Sequence, residues 1–520
     1  MHKLKQVIGK IVNIESQPVD FIRGDEKIED IYAPLSSDVN AFLLLSGGRG
    51  DCSRYSFLAC DPFLVVRAWG NKIEINNRHT TIEVVGNPFD MLQEILDGLK
   101  MPSVDIQLPF YAGAVGYFGY DLRYHLEKLP DVAENDLSLP DLYLIFPGII
   151  LVHDRIEQNY RIVTIGHRLH GEESEKGHQK IQKFQSKIRR AGPTPARLDA
   201  SKTKQTSARG GQRPREMISP NPPTPPFGKG GQGGILKGGW GNFQVKDLTS
   251  NFTHDAYVSA IKRVREYIRQ GDIYQVNLSQ RFTFEFGGSP YSLFRALFAA
   301  NPAPFYAYLN CGDFCVLSTS PERFIRREGS YIETRPIKGT RPRGKDPAED
   351  ERMKKELLES PKEDAELSMI VDLLRNDLGK ACLPGTVQVK EHKRIEAYQN
   401  VFHLVSTVTG MLRRDCTQTD VLMAVFPGGS ITGCPKIRAM EIIEELEPVK
   451  RGIYTGSIGY VSLHDTMNLS IAIRTAVYKD RCIYLSVGGG IVYNSDPETE
   501  YQETLHKGET FFKLLHQAAR

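Results

Sequence analysis

The 520-residue chain has almost no net charge: 66 Lys and Arg stand against 63 Asp and Glu, leaving +3. That balance gives no electrostatic reason to expect nucleic acid as a partner. Long hydrophobic runs are missing as well. The most apolar stretch, 143–152, is broken by Pro147 and Gly148. It falls well short of the roughly 20 residues that a membrane-spanning helix needs, so no membrane role is expected. The opening residues, MHKLKQVIGKIVNIES, carry no continuous apolar core behind their basic side chains, and no secretory signal is expected there. Paired cysteines are absent too: the eight cysteines are scattered and none forms C-x-x-C. This argues against a zinc ribbon or a disulfide framework and for a reducing, cytoplasmic setting. No internal repeat is visible. With 40% hydrophobic and 25% charged residues, the chain is neither grossly disordered, collagen-like nor a coiled coil.

One stretch is unlike the rest. From about Arg190 the sequence is rich in Pro, Gly, Lys and Arg and poor in large aliphatic side chains. Such a segment cannot bury enough apolar area to offset its ordering entropy. It reads as a disordered insert over 190–246, between an N-terminal region, 1–189, and a C-terminal region, 247–520. In the first region short alternating runs at 41–45, 63–69, 72–75, 81–85 and 148–153 predict strands. A helix is predicted over 88–99, with Asn87 as N-cap and Pro88 at its first position. In the second, helices are predicted over 253–270, 347–359, 364–378, 435–446 and 497–507, with strands at 276–285, 305–310, 314–318 and 331–336. The class is α+β with a large antiparallel component.

Several residues could carry chemistry. Glu366 lies on an apolar helix, and periodicity leaves its aim ambiguous. Glu500 and Glu503 share one helical face. They could bind a metal that takes only one or two protein carboxylates, and Glu503 could equally form a surface pair with Lys507. In FPGGSITGCPK, glycines precede a helix start, where backbone N–H groups bind anions, but the spacing is not a P-loop. Gly488, Gly489 and Gly490 follow a strand and allow either a tight turn or close approach to a ligand. Arg474 reads as mid-strand among apolar neighbours, where it needs an acidic partner or a ligand carboxylate. In CVLSTSPERFIRREGSYIETRPIKGT a hairpin turning near Gly329 and Ser330 should set Glu322 nearly opposite Lys338, roughly 5–8 Å apart. Such a pair is either a plain ion pair or a nucleophile beside a proton donor. A register slip of one residue would separate them.

Together, GDIYQVNLSQRF, STSPERF, TRPIKGTRPRG, AELSMIVDLLRNDLG, FHLVSTVTG, GGSITGCPKIRAM, RGIYTGSIGY and VGGGIVYNSDPETEYQET resemble the chorismate-utilising family. Its members include the large subunits of anthranilate synthase and of aminodeoxychorismate synthase, with isochorismate and salicylate synthases as cousins. The motifs cover nearly all of 250–510 in the family's order, and AFLLLSGG and SRYSFLACDP resemble its N-terminal region more weakly. The resemblance implies one large unit around packed antiparallel sheets. It implies Mg2+ held by Glu366 and Glu503, substrate carboxylates bound by Tyr454, Arg474 and Gly488–Gly490, and His403 and Ser430 near the leaving hydroxyl. It further implies a separate glutamine amidotransferase subunit that supplies ammonia. No amidotransferase-type cysteine motif occurs in the chain. Ser46, Arg54, Tyr55, Ser56, Phe57, Pro304, Phe305 and Tyr306 resemble the family's tryptophan pocket, although Leu45 stands where anthranilate synthases commonly carry a glutamate.

Two positions separate the members. Gln275 stands where isochorismate and salicylate synthases resemble one another in having a lysine that deprotonates water. Glutamine has no basic nitrogen, whereas ammonia needs no activating base, so an aminating enzyme is expected. Lys338, in PIKGT, resembles the aminodeoxychorismate synthases, whose lysine forms a covalent adduct; anthranilate synthases typically read PIAGT. The expected activity is therefore conversion of chorismate and ammonia to 4-amino-4-deoxychorismate, in the folate route, with Glu322 protonating the departing hydroxyl. Anthranilate formation is the alternative. A regulatory subunit that binds chorismate without turnover is a further class, against which the intact candidate site argues.

Overall fold

The runs that read as separate strands join into continuous antiparallel sheet. The computed structural model describes residues 4, 7–48, 50–99, 101–169, 175–189 and 243–518. The insert expected at 190–246 lies outside the described residues as far as 242. Its last residues enter the strand Gln244–Ser250.

Two long strands organise the molecule. Tyr55–Trp69 pairs antiparallel with Leu142–Asp154, and the register breaks between Pro62 and Leu64. Pro62 has no N–H to give the ladder, and Asp61 just before it has φ +54°, so the ribbon bulges and bends there. The bend lets the same pair serve two sheets. In one, 55–60 pairs Phe42–Leu45, which leads through Phe305–Asn310, Phe314–Ser320, Thr475–Lys479 and Cys482–Ile491 to Gln275–Gly287. In the other, 142–145 pairs Gly113–Phe118, which leads through Ser457–Ser462, Thr466–Ile471, Arg323–Glu328 and Tyr331–Arg335 to Val401–Met411. Both sheets draw strands from either side of the insert, so the α+β fold is a single unit, as expected.

Strand alternation separates the two faces of the first sheet. Phe42, Ala307 and Val316 join a core with Ile325, Leu404 and Ile458 of the second sheet. Leu43, Tyr308 and Leu317, one residue on, join Phe294 and Leu297 of the helix Pro290–Ala300 and Phe511 and Phe512 of the helix Pro497–Ala518. A one-residue slip would exchange every one of these contacts, which fixes the register.

Helix ends follow local chemistry. Asn87 accepts from the Phe89 N–H, and Thr253 accepts from the Ala256 N–H. Gly271, at φ +84°, closes His254–Gln270 in the left-handed region open to glycine. The helix predicted from 364 starts earlier, as Pro361–Gly379, because Ser360 caps it and Pro361 fits its first turn. The helix predicted to end at 507 runs on to Ala518 because Phe511, Phe512 and Leu515 continue its apolar face. Among the described residues no helix is long and apolar enough to cross a membrane.

Candidate active site

Lys338 and Glu322 come near each other through Ser430, not as a cross-strand pair. The hairpin keeps the expected register near its turn, with Glu328 opposite Tyr331 and Arg326 opposite Glu333, and then shifts between Arg323 and Arg326. Its second strand ends at Arg335. Pro336 breaks the ladder, and Lys338 belongs to a new strand, Ile337–Pro342, opposite Leu404. The two residues converge instead on Ser430, at the tip of the 3-10 turn Gly429–Ile431. The Ser430 hydroxyl donates to Glu322 Oε1 at 2.7 Å, and Lys338 Nζ reaches the Ser430 carbonyl at 3.4 Å.

This setting pushes both groups toward neutrality. Burial raises the Glu322 carboxyl above its ordinary value, opposed by the Ser430 hydroxyl, the Lys338 charge, the Ile337 N–H and Arg474. Burial lowers the Lys338 ammonium, opposed by Glu322 and Glu366. Lys338 is half-buried. A protonated carboxyl beside an unprotonated amine is the state in which the pair can act as acid and nucleophile. His403, opposite Thr340, shares a 3.0 Å hydrogen bond between Nδ1 and the Thr340 hydroxyl. Burial first, then the Arg474 charge, pulls its pKa down to about 3, so the imidazole is neutral near pH 7.

Arg474 is not mid-strand. It sits in the break between Thr466–Ile471 and Thr475–Lys479 at φ +50°, and its carbonyl accepts from the Thr319 N–H and hydroxyl. Among the described residues no ion pair holds its guanidinium. Burial lowers its pKa, while the Tyr306 and Tyr398 phenols and Glu322 act the other way. The three glycines lie on Cys482–Ile491, paired with Ser279, Leu278 and Asn277. A Cβ at Gly488 would lie 3.0 Å from the Tyr454 hydroxyl, and one at Gly490 would overlap the Gln275 amide. Tyr454 and Gln275 therefore crowd one face of this strand, and glycine is what leaves room there. Gln275 is 1% exposed, and among the described residues its Oε1 has no hydrogen-bond partner.

Gly489 points the other way, toward Glu500, Glu503 and Lys507, all within 3.4–3.7 Å of where its Cβ would be. Glu503 pairs with Lys507 at 2.7 Å, and Lys507 also donates to the Gly488 carbonyl at 3.0 Å. The Lys507 charge is the largest influence holding the Glu503 carboxyl below its ordinary value. Glu366 turns largely inward, its side chain 17% exposed, with Lys362 Nζ 3.9 Å from its Oε1. Burial raises its carboxyl, the Lys338 and Lys362 charges oppose that, and Glu363 and Glu503 add to it. Glu500 is buried against the Ser495 hydroxyl at 2.6 Å. The Glu366 and Glu503 carboxyls lie near enough to act on each other electrostatically, and two carboxylates is a number that an Mg2+ keeping water and substrate oxygens as its other ligands can use.

A cavity of about 660 Å³ gathers Ser46, Arg54, Tyr55, Phe57, Pro304, Phe305 and Tyr306, the residues expected from the tryptophan-pocket resemblance, with Leu45 also in its wall. Ser56 does not line it. That side chain is fully buried and accepts from the Ser46 N–H.

Three groups escaped sequence reasoning. Thr340 was legible as the second residue after Lys338 in the same strand. Lys507 was named only as the surface partner of Glu503, and nothing in the sequence announces its bond to Gly488. Asp377 and Lys436 form a buried pair at 2.6 Å beneath Gly429. The signal for Asp377 was its place on the apolar stripe of its helix, three residues after Leu374.

A half-buried amine near a buried carboxyl, an arginine that no ion pair holds among the described residues, and a glycine-lined strand together suit a small acidic substrate. Residues 239–513 match the chorismate binding enzyme family, and the chain belongs to that family of chorismate-utilising enzymes. It is 38% identical over 517 residues to anthranilate synthase component 1 of Acetivibrio thermocellus, covering 99% of this chain and 97% of that one. It is also 38% identical over 491 residues to aminodeoxychorismate synthase component 1 of Salmonella typhimurium, covering 94% and 95%. The crystal structure of anthranilate synthase component I from Streptococcus pneumoniae superposes with a TM-score of 0.71 at 28% identity, over 89% of this chain and 93% of that one.

Proposed function

We propose that the protein is the chorismate-aminating component of an aminodeoxychorismate synthase. The observation that carries this reading is Lys338, brought to Glu322 around Ser430 in a site that favours the neutral amine and the protonated carboxyl. Relatives with the anthranilate name and the aminodeoxychorismate name match at the same 38% identity, so names do not separate the branches, and Lys338 is what supports the aminodeoxychorismate reading.

In this reading Arg474, Tyr454 and the backbone of Gly488–Gly490 hold the carboxylates of chorismate. The neutral Lys338 amine attacks ring carbon 2. A carbon–nitrogen bond forms there, the double bonds shift, and the carbon–oxygen bond at position 4 breaks. The Glu322 carboxyl gives its proton to the departing hydroxyl, which leaves as water. Ammonia then bonds to carbon 4 and its extra proton returns to the Glu322 carboxylate, while the double bonds shift back and the carbon 2–nitrogen bond breaks to release Lys338 as the neutral amine. His403, neutral and tied to Thr340, lines the leaving-group side. Gln275 has no base to activate water, which favours ammonia over hydrolysis. Glu366 and Glu503 would hold Mg2+, which when bound supplies positive charge to the ring carboxylate. The ammonia comes from a glutamine amidotransferase subunit, in keeping with the component 1 names of the relatives. The 660 Å³ cavity is the proposed pocket for tryptophan.

Purified enzyme incubated with chorismate, Mg2+ and ammonium should form 4-amino-4-deoxychorismate, detected by chromatography and mass spectrometry; anthranilate instead would place it on the other branch. Glu322→Gln should keep the fold and slow turnover by about 10²–10⁴-fold, the usual worth of general acid catalysis. Turnover within threefold of wild type would remove Glu322 from the acid role.

A further inference from the structure

The segment that presents Ser430 has a fastening that the proposed chemistry does not use. Residues 426–435 leave the helix Gln418–Val425 and return to the helix Lys436–Leu446, with Ser430 at the tip. Lys436 closes the neck of this loop. Its Nζ donates to the Val425 carbonyl at 3.1 Å and pairs with Asp377 Oδ2 at 2.6 Å. The Asp377 side chain is 1% exposed and that of Lys436 is 12% exposed. Asp377 lies on the helix Pro361–Gly379, which also carries Glu366. The loop rests directly on that helix: a Cβ at Gly429 would sit 2.6 Å from Leu373 Cδ2 and 3.6 Å from Asp377 Oδ2. The opposite side is fastened separately. Asn277 Nδ2 and Arg451 each donate to the Ile431 carbonyl at 3.1 Å, and Gly433 and Cys434 pair with Val276 and Gln275.

A buried ion pair adds little net stability, because desolvation offsets most of the attraction. What this pair does supply is a fixed distance between two helices, and the Ser430 turn is held in that gap. We propose that Asp377 and Lys436 are positioning residues for the proton donor: by clamping the neck of the 426–435 loop, they set Ser430 at hydrogen-bonding height against Glu322. The inference rests on reading Glu322 as the acid. Neither clamp residue touches the reacting pair in the described contacts.

The clamp can be opened without leaving a bare buried charge. Lys380 Nζ lies 3.2 Å from Asp377 Oδ1, so Lys436→Met still leaves Asp377 a cation. In the full-length enzyme with chorismate, Mg2+ and ammonium, Lys436→Met should lower kcat by about 10- to 100-fold, since a misplacement of about 1 Å costs that much. The KM for chorismate should stay within about twofold, because Arg474, Tyr454 and the glycines are untouched. The limb of the pH–rate profile set by Glu322 should move to higher pH: without the Ser430 hydroxyl, burial raises its carboxyl further, and only Lys338, the Ile337 N–H and Arg474 still oppose it. Lys436→Arg should restore most of the rate. Adding Lys436→Met to Ser430→Ala should cost less than about threefold more if the clamp acts through Ser430. An unmoved pH profile, or the full loss repeated on top of Ser430→Ala, would overturn the proposal. Aminated product from wild type is the control for the underlying reading; its absence refutes that reading independently of the clamp.

Discussion

Glu366→Gln and Glu503→Gln should each reduce turnover by about 10²-fold or more and raise the Mg2+ concentration needed for half-maximal rate. Both substitutions keep the size of the side chain and remove one negative charge. A divalent ion that binds through two protein carboxylates loses half of its charged protein ligands with either change, and several kcal/mol of charge stabilisation go with it. The competing account of Glu503 is a surface pair with Lys507, which lies 2.7 Å away with its side chain 38% exposed. An exposed pair of that kind contributes about 0–1 kcal/mol to stability and nothing to catalysis. The two accounts therefore separate cleanly in a titration of activity against Mg2+. If either variant keeps full activity at limiting Mg2+, that residue is no ligand. Glu366 has a weaker competing account, an i,i+4 pair with the exposed Lys362, whose Nζ lies 3.9 Å from its Oε1, and the same Mg2+ titration separates the two. Glu366 lies on a helix that packs Leu367, Ile370 and Leu374 into the core, and its own carboxyl is raised by burial and acted on by the Lys338 charge.

How far the site was legible in the sequence depended on whether a residue's place is set locally. Caps and turns were readable because their chemistry lies within a few residues: Asn87 and Thr253 cap helix starts with their side-chain oxygens, and Gly271, free of a side chain, closes one at positive φ. The strands at 305–310 and 81–85 were readable from composition and spacing alone. The length of Tyr55–Trp69 was not, because its first half reads as a mixed run until paired along its whole length with Leu142–Asp154. Long-range geometry was misjudged where backbone irregularities intervene. Arg474 looked like a strand residue because its neighbours are apolar, yet it occupies a left-handed break that turns its carbonyl toward Thr319.

Glu322 and Lys338 are the instructive case. Hairpin symmetry put them together, and they are together, but for a different reason. The register irregularity after Arg323 and the break at Pro336 undo the symmetry. Ser430, more than 90 residues away in sequence, then rebuilds the contact from a third element. No periodicity within the hairpin could have shown that. The same holds for Lys436, whose role depends on a helix some 60 residues earlier.

The largest qualitative effect is expected at Lys338. If its amine is the first nucleophile, rapid acid quenching during turnover should leave substrate carbon attached to the peptide that spans 336–340, seen as a mass increase on Lys338. The timing follows from the electrostatics. Burial lowers the ammonium and raises Glu322, and both shifts run in the direction that a free attacking amine and a protonated acid require. Lys338→Ala removes the nucleophile and leaves Glu322, Ser430, Arg474 and the glycine strand in place. It also removes a positive charge that opposes protonation of Glu322, so the acid remains competent. Ammonia can then reach ring carbon 2 directly, in the space the side chain vacated. A single displacement there, with loss of the position 4 hydroxyl, yields the precursor of anthranilate, not the 4-amino product. The variant should therefore lose 4-amino-4-deoxychorismate formation, and what product remains should shift toward the anthranilate type. An alanine variant that still makes 4-amino-4-deoxychorismate at the wild-type rate would exclude the covalent route, and wild-type enzyme that makes anthranilate would exclude the folate branch altogether.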